Sequence, residues 1–145
     1  MLQELGAFIL AGGKGHDDVK RMADMICGAR GWRWVGVYKL SRGELNIVAG
    51  SGDQPPCYQR FPATQGLCGA AVESRQTIVV NDVRQDVRYL PTFNSTLSEI
   101  VVPIISQSDR VVGVITAESE RVNAFSEEDR EVLERVASLM GHSFK

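Results

Sequence analysis

Two pairs of β-forming runs, each turned back on itself by a short polar segment, constrain this chain more than any other feature. WRWVGVYKL and ELNIVAG flank Ser41-Arg42-Gly43, and EIVVPIIS and RVVGVITAES flank Gln107-Ser108-Asp109. Aromatic and β-branched residues suit a pleated, half-buried surface, and runs joined by a few turn residues pair antiparallel. A sheet made from two such hairpins must bury its apolar faces against other elements. Helical cover is available: Leu2, Leu5, Phe8 and Ile9 recur at helical spacing, and so do Val19, Met22, Ala23 and Ile26. Near the other end, Val132, Leu133, Val136, Ala137, Leu139 and Met140 fall on one side of a third helix.

The punctuation fits these elements. Gly12, Gly13 and Gly15 separate the first two helices, Asp17 is placed to cap the second, and Gly28 and Gly31 close it. Ser126, with Asp129 three residues on, makes a variant capping box for the last helix. Between the hairpins, 51–65 reads as a loop with Pro55, Pro56 and Pro62, GLCGAAVESR as a short helix, and TIVVNDV as a strand. RQDVRYLPTFNSTLS has no steady period and reads as a long loop with room for a short helix; loops of that length often act as lids. The expected fold is α+β: a central, mainly antiparallel sheet with the N- and C-terminal helices packed on one face, one domain over residues 1–145.

Composition removes whole classes of function. A net charge of −2 with 23% charged residues offers no field for a phosphate backbone, so nucleic-acid binding is not expected. No apolar run approaches the roughly 18–20 residues of a membrane span. MLQELGAFILAGGKG lacks the basic segment and cleavage pattern of a secretory signal, so the expectation is a soluble, cytoplasmic protein without membrane contact.

The candidate chemistry is sparse. LAGGKG resembles a phosphate-cradling loop, but it follows a helical pattern rather than a strand and reads as an interhelix turn. His16 and His142 lie near opposite ends of the sequence with no ligand-like spacing, so neither a metal site nor a Ser/His/Asp set is expected, and no cofactor is. Cys27, Cys57 and Cys68 are odd in number and lack a C-x-x-C pair. Cys68 stands out because it lies between Gly66 and Gly69 at a helix start, where the helix dipole can lower a thiol pKa; otherwise it is a small packed hydrophobe. On the first strand Trp34, Gly36 and Tyr38 share a face by alternation, an aromatic surface around a glycine notch. Thr116 and Glu118 share a face of the last strand and Glu99 begins its neighbour. Alternation alone does not decide whether these faces coincide, and strand-end carboxylates read by themselves as solvated.

Taken in order, GLCGAAV, IVVNDV, SEIVVPI, VVGVITAES and FSEED resemble a GAF domain over nearly the whole chain. Within that superfamily WVGVYKL, GLCG, SEIVVP and GVITAES are most similar to the free methionine-(R)-sulfoxide reductases. The resemblance implies a pocket with Trp34 and Tyr38 as its aromatic pair, Glu99 as its glutamate, and Thr116 and Glu118 where the family carries two acids. It also implies that Cys68 is the turn cysteine and that Cys57 lies near a third family cysteine, its spacing off by a residue. The family's loop cysteine corresponds to Thr92, six residues before Ser98. A hydroxyl can neither attack a sulfoxide as a thiolate does nor pass through sulfenic acid to a disulfide.

The expected function is therefore a binding or sensor module holding a small polar, amino-acid-like or cationic ligand at Trp34, Tyr38, Cys68, Glu99, Thr116 and Glu118. One alternative is a reductase-like enzyme using Cys68 and Cys57. Another is an interaction module with an empty pocket that homodimerises through its terminal helices. Cyclic nucleotides and tetrapyrroles, which other GAF domains bind, have no matching motif here.

Overall fold

The structure, a computed structural model, describes residues 15–143. The helix expected over Leu2 to Ile9 lies outside the described residues. The elements run α1 (His16–Arg30), β1 (Trp34–Ser41), β2 (Glu44–Gly50), β3 (Arg60–Pro62), α2 (Gly66–Ser74), β4 (Ile78–Val80), a 3₁₀ turn (Val83–Gln85), β5 (Ser98–Ile105), β6 (Val111–Ser119) and α3 (Glu127–Ser143). The strands form one six-stranded antiparallel sheet in the order β3-β2-β1-β6-β5-β4. Both hairpins form as expected. The first turns through Arg42 and Gly43 with both residues left-handed, the geometry whose twist matches paired strands. β1 and β6, one from each hairpin, pair at the centre of the sheet and close it into a continuous surface.

Two apolar clusters lie on opposite faces. On one, Val19, Met22 and Ile26 of α1 and Leu133, Val136 and Met140 of α3 pack over Val35, Val37, Ile100, Val102, Ile104, Ile115 and Ala117. These two helices share a face, as expected. On the other face Trp34, Tyr38, Val101 and Val114 lie beneath Leu67, Cys68 and Ala71 of α2 and Phe93 of the long loop. No described helix is long and apolar enough to cross a membrane.

Local differences have local causes. The cap of α1 is Gly15, with no side-chain bond, and Asp17 sits inside the first turn, where its charge meets the helix dipole instead. Within the stretch read as loop, Arg60, Phe61 and Pro62 add a short edge strand against Glu44, Leu45 and Asn46. Three residues ending in a proline are too few to show a period. At α3 the capping box forms in both directions: Asp129 N–H donates to Ser126 Oγ (3.2 Å) and Ser126 N–H to Asp129 Oδ2 (2.8 Å). Ser126→Ala should therefore cost about 1 kcal/mol in urea denaturation, and an unchanged midpoint would mean the cap contributes nothing.

Candidate functional site

Strand register decides which chemistry meets. Glu99 pairs with Glu118, and Glu118 pairs with Trp34; Val101 pairs with Thr116, Thr116 with Gly36, and Gly36 with Gly50. Directly paired residues project to the same face. Carboxylates, threonine and indole thus share one side of the sheet, and all six expected residues, Trp34, Tyr38, Cys68, Glu99, Thr116 and Glu118, line a single cavity. Thr92 lines it as well. The reading of the carboxylates as solvated at strand ends is overturned: Glu99 is 4% exposed and Glu118 0%, because α2 and the 84–98 loop cover that end of the sheet.

The floor is made by absence of side chains. The Trp34 indole lies across Gly36 and Gly50; a Cβ on Gly50 would be 2.6 Å from its Nε1, and one on Gly36 would clash with Cη2, Cζ2 and Cζ3 of its six-membered ring. Trp34 meets Tyr38 edge-on at 6.3 Å and Phe93 at 5.4 Å between ring centroids. Tyr38 OH donates to the Tyr58 carbonyl (2.9 Å), and burial raises that phenol well above its ordinary range.

The 51–65 and 84–98 segments meet above the floor. Cys57 N–H donates to the Thr92 carbonyl (3.1 Å). Arg33 sits over the Phe93 ring, 4.3 Å from its centroid, and donates to Gln54 Oε1 (2.6 Å). One cation thereby touches both flaps. The cavity measures about 20 Å³, room for a single water, so a larger occupant requires the 51–65 and 84–98 segments to part.

The polar groups are unevenly satisfied. Thr116 Oγ1 donates to Glu99 Oε2 (2.7 Å), and Thr96 Oγ1 (2.7 Å) and Tyr89 OH (3.4 Å) donate to Glu118 Oε1. Glu118 Oε2 and Trp34 Nε1 are buried without a partner. Burial, then the neighbouring Glu118, pushes Glu99 well above the usual carboxylate range. Burial pushes Glu118 up to about 7, against the lowering effect of Thr96, Thr92, Tyr89 and Arg33.

Cys68 behaves opposite to its helix-start position. It is the third residue of α2 yet only 7% exposed, and burial, then Glu99 and Glu118, raise its pKa well above the ordinary thiol value. A dipole effect fades in a site that is desolvated and already negative. Its flanking glycines answer to packing. Gly66 has φ +74°, and a Cβ on Gly69 would meet the Thr64 carbonyl carbon at 2.7 Å. Cys57 is exposed and Cys27 half-buried, and all three thiols are free. Sequence reading missed Tyr58, Phe61 and Leu90 as lining residues and Thr96 and Tyr89 as partners of Glu118. They come from irregular segments, or in the case of Phe61 from a three-residue edge strand, that carry no periodic signal.

Comparison with known proteins agrees with this architecture. The GAF domain profile matches residues 17–144. A free methionine-R-sulfoxide reductase of Saccharomyces cerevisiae is 32% identical over 76% of this chain and 62% of its own length, so the match spans less than two thirds of that relative. The solved type II free methionine-R-sulfoxide reductase of Thermoplasma acidophilum is 30% identical, covers 94% of this chain and 92% of its own, and superposes with a TM-score of 0.82. The enzyme of Neisseria meningitidis in complex with its substrate gives 29% identity, 97% and 83% coverage, and a TM-score of 0.87.

Proposed function

This chain belongs to the GAF domain family, and from that premise we propose that its pocket binds a small compound carrying a positively charged group, such as a free amino acid, without reducing it. The observation that carries this reading is the Glu99–Glu118 pair: two buried carboxyls abreast, with no ion-pair partner among the described residues and with Glu118 Oε2 unpartnered. Removing one member of a buried charge pair leaves an expensive uncompensated group, so a site holding only acids favours a visiting cation. The Trp34 face adds cation–π attraction of roughly 0.5 to 2 kcal/mol. The relatives whose names describe action on free methionine-R-sulfoxide support an amino-acid-sized ligand.

Binding without turnover follows from the thiols. The position matching the reductases' loop cysteine is Thr92, whose hydroxyl donates to the Leu90 carbonyl (3.3 Å), and Cys68 is held as a neutral thiol. Expected results are thermal stabilisation by L-methionine-(R)-sulfoxide, its loss in Trp34→Ala and Glu99→Ala, and no reduction of that compound with dithiothreitol. Equal stabilisation of wild type and both variants would remove the pocket from consideration.

One observation favours a second reading as an enzyme of the reductase type. The Cys57 backbone is hydrogen-bonded to Thr92, which brings an exposed thiol-bearing segment to the residue where a loop cysteine is missing. Wild-type turnover that disappears in both Cys57→Ser and Cys68→Ser would install this reading in place of the first. Thr92→Cys, by contrast, should create measurable turnover if only the loop thiol is missing.

A further inference from the structure

The pocket's donors and charges do not balance unless a proton is counted among its occupants. Four carboxyl oxygens of Glu99 and Glu118 receive three hydroxyl donors, from Thr116, Thr96 and Tyr89, and none from a charged group. Every other element packed against the pair brings neutral or acid-side chemistry: the Tyr38 phenol from β1, the Cys68 thiol from α2 and the Tyr89 phenol from the long loop. Among the described residues Arg33 is the cation felt by Glu118, and it is engaged outside the cavity with Phe93, Gln54 and Glu120. The cavity, about 20 Å³, has room for a water, not for a hydrated counterion.

Two carboxylates side by side in such a place cannot both ionise. We propose that in the ligand-free pocket Glu99 and Glu118 hold a proton between them in place of a counterion, and that a ligand bearing a single positive charge expels it to solvent on binding. The proposal rests on the binding reading above and specifies the ligand class: a monocationic group, such as a primary ammonium, enters as one H⁺ leaves. The charge at the carboxyl pair is the same before and after, which is why one ammonium fits the exchange, the carboxylate of an amino acid lying away from the pair. Raised carboxyl pKa values at both residues agree with this state. The consequence is affinity that climbs with pH, by up to about tenfold per unit while the proton remains on the pair.

The test has one arm without ligand and one with it. Infrared difference spectra of the ligand-free protein between mildly acidic and alkaline pH should contain the C=O stretch of a buried protonated carboxyl, diminished in Glu118→Gln and in Glu99→Gln. Absence of that band in wild type overturns the proposal, and this arm needs no variant to fold. Calorimetry of L-methionine-(R)-sulfoxide in two buffers of unequal protonation enthalpy should then return release of about one proton per ligand bound. The N-acetyl derivative, which lacks the ammonium, should bind at least about tenfold more weakly. Binding of the amino acid with no proton release, or equal binding of the acetylated compound, overturns the exchange while leaving the pocket a binding site. Failure of both probes to bind overturns the binding reading itself, and the exchange with it.

Discussion

Gly36→Ala is expected to destabilise the protein by about 3 kcal/mol, the upper part of the range for overpacked cores, and to lower Tm by roughly 10 °C. The added methyl would occupy space already filled by the Trp34 ring, which has no route of relaxation. Gly50 blocks it on β2, Phe93 meets it edge-on above, and the residue is 1% exposed. The indole must tilt off the sheet, so ligand-induced stabilisation should vanish with the stability. Gly28 supplies the opposite sign. It lies inside α1, a Cβ there would meet nothing within 4 Å, and Gly28→Ala should raise stability by about 0.5–1 kcal/mol. Equal effects at the two glycines would mean that Trp34 does not form a rigid floor.

Stability of the ligand-free protein should fall as pH rises from about 5 to about 8, the reverse of the usual behaviour of paired carboxylates. The sign follows from proton counts. In the unfolded chain Glu118 loses its proton near the ordinary 4.5, whereas in the folded protein it keeps it until about 7. Between those values the native state binds more protons than the unfolded state, so each unit of pH removes stability, about 3 kcal/mol in all from this residue. Glu99 acts in the same direction. Asp82 and Asp86, whose pKa values are lowered chiefly by hydrogen bonds from Arg84 and Arg88, act only at more acid pH and leave this window clear. Glu118→Gln should flatten the slope and be the more stable protein at pH near 8, because its carbonyl still accepts from Thr96 while the neutral amide has no charge to desolvate. Urea denaturation across the range decides it: wild-type stability that is level or rising with pH, with the same slope in the variant, would show that the pair is ionised at no cost.

Much of the architecture was legible because its signals are local. The hairpins follow from β-forming runs around Arg42-Gly43 and Asp109, and α3 begins where Ser126 and Asp129 can cap each other. The alternation that places Trp34, Gly36 and Tyr38 together is a property of one strand and needs no partner. The site residues themselves came from the ordered likeness to GAF sequences, and the GAF profile over residues 17–144 bears out the family.

What the sequence could determine was the set of elements and the residues each one presents; what only the tertiary structure decided was their meeting and their state. The pairing of β1 with β6 sets Trp34 beside Glu118, and this joins strands from hairpins far apart in sequence. Burial of Glu99 and Glu118 depends on α2 and an aperiodic loop folding over the sheet, and the short β3 exists only as an edge added to β2. Cys68 shows the difference most clearly. Its position near a helix N-terminus favours a thiolate, yet its surroundings favour the thiol. Dipole position is fixed by neighbours along the chain, whereas desolvation and the fields of nearby carboxyls are sums over everything that packs around an atom, and no sequence window contains that sum.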